Sequence, residues 1–168
     1  PLLFVWGAGV LASPRFASRW RKGAIAALAL LFAASSLRAH PHYLPYFNAA
    51  AGGPERGIHG LDDSNVDWGQ DLPALREWLA ENDIDDAVLV PMALYDPALY
   101  RVPGTRAAPE VILPQLASAA PPPGIYAVSA HLLTRVRWGG EPTVDPLRDR
   151  TPRAVLGHSI WVFEVPER

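Results

Sequence analysis

The chain has no cysteine among its 168 residues. Disulfides, thiolate metal sites and a cysteine nucleophile are therefore excluded, although the compartment is not fixed by this. It also lacks a strong net charge, −2 at pH 7, which removes any global electrostatic case for nucleic acid. Acidic residues are missing from the start of the chain. Before His40 the only charged side chains are Arg15, Arg19, Arg21, Lys22 and Arg38, and every Asp and Glu lies later. Such asymmetry between halves points to a membrane or a partner. There is no internal repeat. The length accommodates one ordinary domain and a little more. Because the first residue is Pro1 and not Met, we expect a piece of a longer or processed chain.

Residues 1–12 (PLLFVWGAGVLA) are uncharged and apolar, but fall short of the roughly 20 residues that cross a bilayer. They read as the tail of a truncated helix. The basic loop SPRFASRWRKG follows. The run from Gly23 to Ala39 then gives a marginal span of about 17 residues, with Arg38 placed to snorkel to the interface. A signal peptide has a similar layout, a basic region, an apolar region and then small residues, but the apolar run ahead of the basic loop argues against it. A buried soluble hairpin is the third reading. We expect a transmembrane helix or hairpin over residues 1–39, the basic loop being cytoplasmic by the positive-inside rule. Residues 40–168 then form an extracytoplasmic C-terminal domain. Tyr43, Tyr46 and Phe47 suit the headgroup belt, and Pro41 and Pro45 stop the helix. His40 and His42 have the makings of a metal pair but no further ligand beside them, so an interfacial role is favoured.

Beyond the turn-rich 51–57, the spacing of Leu72, Leu75, Trp78 and Leu79 predicts an amphipathic helix over 72–82. Asp71 is placed as its N-cap, and Pro73 falls in its first turn. Strands are expected over 86–94, with Pro91 marking a bulge or an edge, over 124–130, and over 159–165. Short helices are expected near 109–119 and from His131. Helices alternating with apolar strands predict a small α/β domain.

Residues 62–71 (DDSNVDWGQD) gather four acids, two carboxamides, a hydroxyl and an indole. Asp63, Asn65 and Asp67 have the spacing of a calcium loop. However, glycine comes one position late, at Gly69, and Ala74 stands where a bidentate Glu is needed, so this is not an EF-hand. Another calcium loop stays open. So does a purely structural turn, in which Asp and Asn bond their own backbone and Trp68 buries its ring. The third reading is a polar ligand: carboxylates and carboxamides bond sugar hydroxyls, and an indole stacks on a sugar face. The candidate substrate-binding residues are Asn48, Asp63, Asn65, Asp67, Trp68, Gln70 and Asp71. No catalytic residue and no resident metal are assigned, although Asp63, Asp67 and Asp71 could hold a divalent cation. Ser129 and His131 stand too close in sequence, without a nucleophile elbow, to be a hydrolase pair. Arg135 and Arg137 read as a solvated basic face before a phosphate site.

The runs Tyr46-Phe47-Asn48, Gly52-Gly53-Pro54 and Asp63-Ser64-Asn65-Val66-Asp67-Trp68-Gly69-Gln70-Asp71-Leu72 resemble, in that order, the C-terminal region of bacterial membrane glycosyltransferases. The family is that of the dolichyl-phosphate-mannose protein mannosyltransferases, glycosyltransferase family 39 of the GT-C superfamily. Residues 125–130 and 157–163 are similar to that region too, whereas 95–123 depart from it. The resemblance implies a multi-pass enzyme of the bacterial inner membrane. It would transfer a sugar from a polyprenyl-phosphate carrier to a glycan, lipid or protein acceptor on the outer face, with its catalytic acid upstream of this chain. This part would position substrate or carrier. The alternative is a membrane-anchored glycan- or calcium-binding module without catalysis.

Overall fold

A computed structural model describes residues 7–9, 12–14, 18–48, 51–54, 56–57, 66–91, 96–116, 118, 120–134, 147 and 150–167. The chain forms two compact units, Pro1–Tyr43 and Leu44–Arg168.

The first unit holds helix α1, Arg19–Arg38. At 20 residues it is long and apolar enough to cross a membrane. Its apolar residues are spread round the whole circumference and none is buried, unlike the single stripe of a helix that lies on a protein core. The expected preceding apolar segment falls mostly outside the described residues; Gly7–Gly9 are helical.

The second unit is an α/β domain. Helix α2 (Leu72–Glu81) buries Leu72, Leu75 and Leu79, the face its spacing predicts, while Trp78 is half-buried under the Arg153 guanidinium at 5.5 Å from the ring centre. Asp83 then takes a left-handed φ of 53°. This lets the amides of Asp83 and Ile84 reach the carbonyls of Ala80 and Leu79 at 3.3 and 3.0 Å. The pattern is a Schellman stop, sealed by the apolar pair Ile84 and Leu79, which share one core.

Strand β1 (Val88–Val90) follows, then a 3₁₀ turn (Pro97–Tyr100), β2 (Thr105–Arg106) and helix α3 (Pro109–Leu116). Next come β3 (Gly124–Ser129), the short α4 (Ala130–Thr134), β4 (Ala154–Leu156) and β5 (Ile160–Val165). The sheet order is β2-β1-β3-β5-β4. The first three strands are parallel and the β3–β5–β4 pairings antiparallel. Strand β1 is therefore internal, and Pro91 sits buried just past its end; neither the bulge nor the edge expected of it is present, because the strand stops before the residue that cannot donate.

Side chains alternate across the sheet as strand geometry requires. Leu89, Ala127 and Val162 pack toward α2 with Leu72, Leu75 and Leu79. Their neighbours Val90, Tyr126, Val128 and Phe163 pack on the other face with Ile112 and Leu116 of α3. The buried Tyr126 donates its hydroxyl to the Pro122 carbonyl at 2.9 Å, which ties the proline run to the strand it introduces.

Phe47 is not free for the headgroup belt. It packs with Val66, Ala130 and Trp161 inside the domain. Gly57 makes room for it: a Cβ there would lie 2.1 Å from Phe47 Cγ.

Two measurements check this core. Leu79 is fully buried and Leu99 is 80% exposed, so Leu79→Ala should cost about 2–5 kcal/mol in denaturant unfolding and Leu99→Ala less than about 0.5 kcal/mol. Burial also raises the pKa of Tyr126 above its ordinary 10.0. A raised folded-state value contributes stability that is present below the unfolded pKa and disappears as pH climbs through the folded one. Stability should therefore fall above about pH 10, and this fall should be shallower in Tyr126→Phe.

Candidate functional site

The site lies at one end of the sheet, where β3 finishes and β5 begins. Residues 66–71 close over this end before α2 starts. The Asp67 side chain is 1% exposed. Its Oδ1 accepts from the Gly69 amide at 2.9 Å, the local turn that Asp readily makes, and Gly69 then takes a positive φ of 81° that redirects the chain toward α2. Its Oδ2 accepts from the Ser129 hydroxyl at 2.5 Å. The Asp67 amide donates to His131 Nε2 at 3.3 Å, which in a neutral imidazole puts the proton on Nδ1.

Asp71 repeats the arrangement one helical turn later. It occupies the N-cap position of α2, but its side chain makes no capping bond; the expected capping role is corrected here. Its Oδ2 accepts instead from the fully buried Ser159 hydroxyl at 2.6 Å. A long-range donor has displaced the local one. Gly157 permits this, because a Cβ there would lie 2.0 Å from Asp71 Cγ. Gly157 and His158 both have positive φ, 54° and 64°, the backbone of a mirror-image hairpin turn, and the turn is closed by Ser159 N donating to Leu156 O at 3.1 Å.

Gln70 braces the loop from within. Its Oε1 accepts from the Trp68 amide at 2.7 Å, and its Nε2 donates to the Val66 carbonyl at 2.9 Å. With Asp67, Gln70 and Asp71 turned to the protein, Trp68 is left pointing out, 50% exposed. The ring burial that a purely structural turn would give is not what forms. Between the start of α2 and the sheet the described residues leave little room. The space lined by Leu72, Val90, Ser129 and Ile160 among others holds only about 10 Å³, the lower limit for one water. The large apolar side chain that the described loop exposes is Trp68.

The remaining candidates are dispersed. Asn48 is exposed and its Oδ1 accepts from the Ala51 amide at 3.0 Å, a turn contact. Asp63 and Asn65, like Arg135 and Arg137, lie outside the described residues. Among the described residues no three His, Asp or Glu side chains are grouped to hold a metal. Ser129 spends its hydroxyl on Asp67 and is buried, so it presents no nucleophile. Sequence reasoning weighed Ser129 and His131 only as a hydrolase pair and set them aside, and it gave Gly157 and Ser159 no role at the site. The available signal was a serine next to a strand end in both Ser129-Ala-His131 and His158-Ser159-Ile160. No family model, curated protein or solved structure matches this chain.

The two acid–hydroxyl pairs give a direct test. Asp71→Ala strands a buried Ser159 hydroxyl and should cost about 1–3 kcal/mol. Gly157→Ala, which collides with the same carboxylate, should lower the unfolding midpoint as well. In the double variant Asp71→Ala/Gly157→Ala the two losses should be less than additive, since the removed carboxylate vacates the space the new methyl needs.

Proposed function

We propose that this chain is the C-terminal part of an integral-membrane glycosyltransferase. The enzyme takes its sugar from a polyprenyl-phosphate carrier on the outer face of the membrane, and the domain from Leu44 onward positions substrate or carrier. The observation that carries this reading is the 66–71 loop, whose polar side chains all serve to hold one indole in water. An exposed Trp on a braced loop is a stacking surface for a sugar ring, apolar on its faces with an N–H at its edge. Bracing matters because a platform already fixed loses little entropy on binding.

Three further features support it. The loop falls within the run that resembles the family's C-terminal region. Helix α1 has the length and composition of a span. Its first turn is basic, with no acid, the wrong sign for the helix dipole but the right one for a cytoplasmic flank. Asp67 and Asp71, buried against hydroxyls, act here as supports of the platform, and chemistry is left to the upstream part of the enzyme.

The test uses the full-length enzyme in membranes. Trp68→Ala should lower transfer about tenfold, the loss of roughly 1–2 kcal/mol of stacking. Abundance and unfolding midpoint should be unchanged, and Trp68→Tyr should retain most activity. Lowered abundance with unaltered specific activity would sink the reading in favour of a structural loop.

A further inference from the structure

We propose that the end of the domain opposite the Trp68 loop carries a second binding site, a recess that takes a monocarboxylate on a compact apolar body, with Arg150 holding the carboxylate. The recess lies where β3 begins and β5 ends, Gly124 being paired there with Val165. Ser129, which bonds Asp67, is five residues further along β3, about 17 Å at roughly 3.4 Å per residue. The two sites share no residue.

The described lining is Pro121, Arg150, Val165 and Pro166, around a volume of about 210 Å³. An apolar cavity of about 150 Å³ admits benzene, so this recess takes a group the size of one ring or a branched aliphatic chain. Its walls are held from within the domain. Val165 is buried in the same core as Tyr126 and Leu147. The Tyr126 hydroxyl donates to the Pro122 carbonyl at 2.9 Å, which fixes the residue next to Pro121. The Arg150 amide closes a turn on the carbonyl of Leu147 at 3.0 Å, and Leu147 is itself fully buried. Walls that are already set lose little entropy when a ligand arrives.

Charge decides what enters. Arg150 is half-buried, and the other three lining residues are apolar. Among the described residues its side chain has no ion pair and no hydrogen bond. The acid of β5, Glu164, is engaged by Arg153 at 3.1 Å. Glu167, the acid beside Pro166, is exposed and not paired with Arg150. An arginine drawn out of water is normally paired, and here that pairing is left to an anion from solution. The guanidinium fork matches a planar carboxylate through two parallel N–H···O bonds. A phosphate monoester fits less well, because it brings about −1.5 to −2 of charge at pH 7 to a single cation, and Pro121 and Pro166 have no N–H to share it. Their rings and the Val165 side chain suit an apolar body instead. Free acids and the C-terminal residue of a peptide both present a carboxylate on such a body.

The test follows the Val165 and Glu167 amide resonances of the whole ¹⁵N-labelled chain in a non-ionic detergent. Benzoate, benzamide, phenyl phosphate and N-acetylphenylalanine are titrated in separately. Benzoate should give a saturable shift with a Kd on the order of a millimolar. Benzamide and phenyl phosphate should bind at least tenfold more weakly, and Arg150→Gln should weaken benzoate by at least tenfold with its unfolding midpoint unchanged. Pro166→Trp keeps the guanidinium but fills the recess from an exposed position, so it should abolish the benzoate response, and it decides the matter should Arg150→Gln fold poorly. N-acetylphenylalanine binding more tightly than benzoate supports the site with a peptide terminus as its source, and weaker binding supports it with a free acid. Benzamide binding as well as benzoate overturns the carboxylate contact. Phenyl phosphate binding as well overturns the selection of a monocarboxylate. No saturable shift with benzoate, or one undiminished in a folded Arg150→Gln, overturns the site.

Discussion

Two buried carboxylates, each fastened to a serine hydroxyl, determine what this domain can present to its surroundings. Asp67 meets Ser129 across 62 residues of sequence, and Asp71 meets Ser159 across 88. The hydroxyls are fixed relative to one another because Ser129 pairs with Ile160 in the β3–β5 ladder and the Ala130 amide donates to the Ser159 carbonyl at 2.8 Å. The sheet thus offers two donors at a set separation. A segment with carboxylates one helical turn apart can dock on both only by crossing the sheet end in a single conformation. Once it does so, Trp68 has nowhere to go but out.

Such polar pairing inside a domain is a costly way to close a loop if closure were all that mattered. A buried carboxylate that loses its donors incurs its whole desolvation penalty, whereas a few apolar side chains would cap the sheet end without that risk. What a satisfied polar network provides is a unique arrangement, since displaced alternatives leave charges unpaired. Gly57, Gly69 and Gly157 serve the same end from the backbone side. The first admits the Phe47 ring, the second supplies the turn's positive φ, and the third leaves space for the Asp71 carboxylate. Two of these glycines, Gly69 and Gly157, and two serines, none of them reactive, hold the loop that carries Trp68.

Elements built on a strong local period were legible in the sequence. Helix α2 was readable from Leu72, Leu75 and Leu79, and β3 and β5 from their apolar runs. Strands β2 and β4 were not, because they span two and three residues, show no alternation, and exist only through their partners. The same distinction separates the site residues. Residues 62–71 stood out by composition. Their partners Ser129 and Ser159 are ordinary residues whose importance comes from pairing across the fold. The capping role read for Asp71 shows the mechanism of error: a local rule assigns the carboxylate to its own helix, and a donor 88 positions away takes it instead. Phe47 was misplaced in the same manner, since its aromatic character fits a membrane interface as well as it fits the pocket that Gly57 leaves open.

In open α/β sheets, ligands gather at the carboxyl ends of parallel strands, where loops converge and no side chain from the strand itself blocks approach. Here the space between the start of α2 and the strand ends has scarcely room for one water. What the described loop exposes at that end is a single flat ring, Trp68. A cleft would suit a free, small, fully hydrated ligand, whose whole surface can be enclosed. A projecting ring suits a ligand that is itself held at a surface and offers one face at a time. A sugar on a membrane-bound carrier, the donor proposed above, is such a ligand.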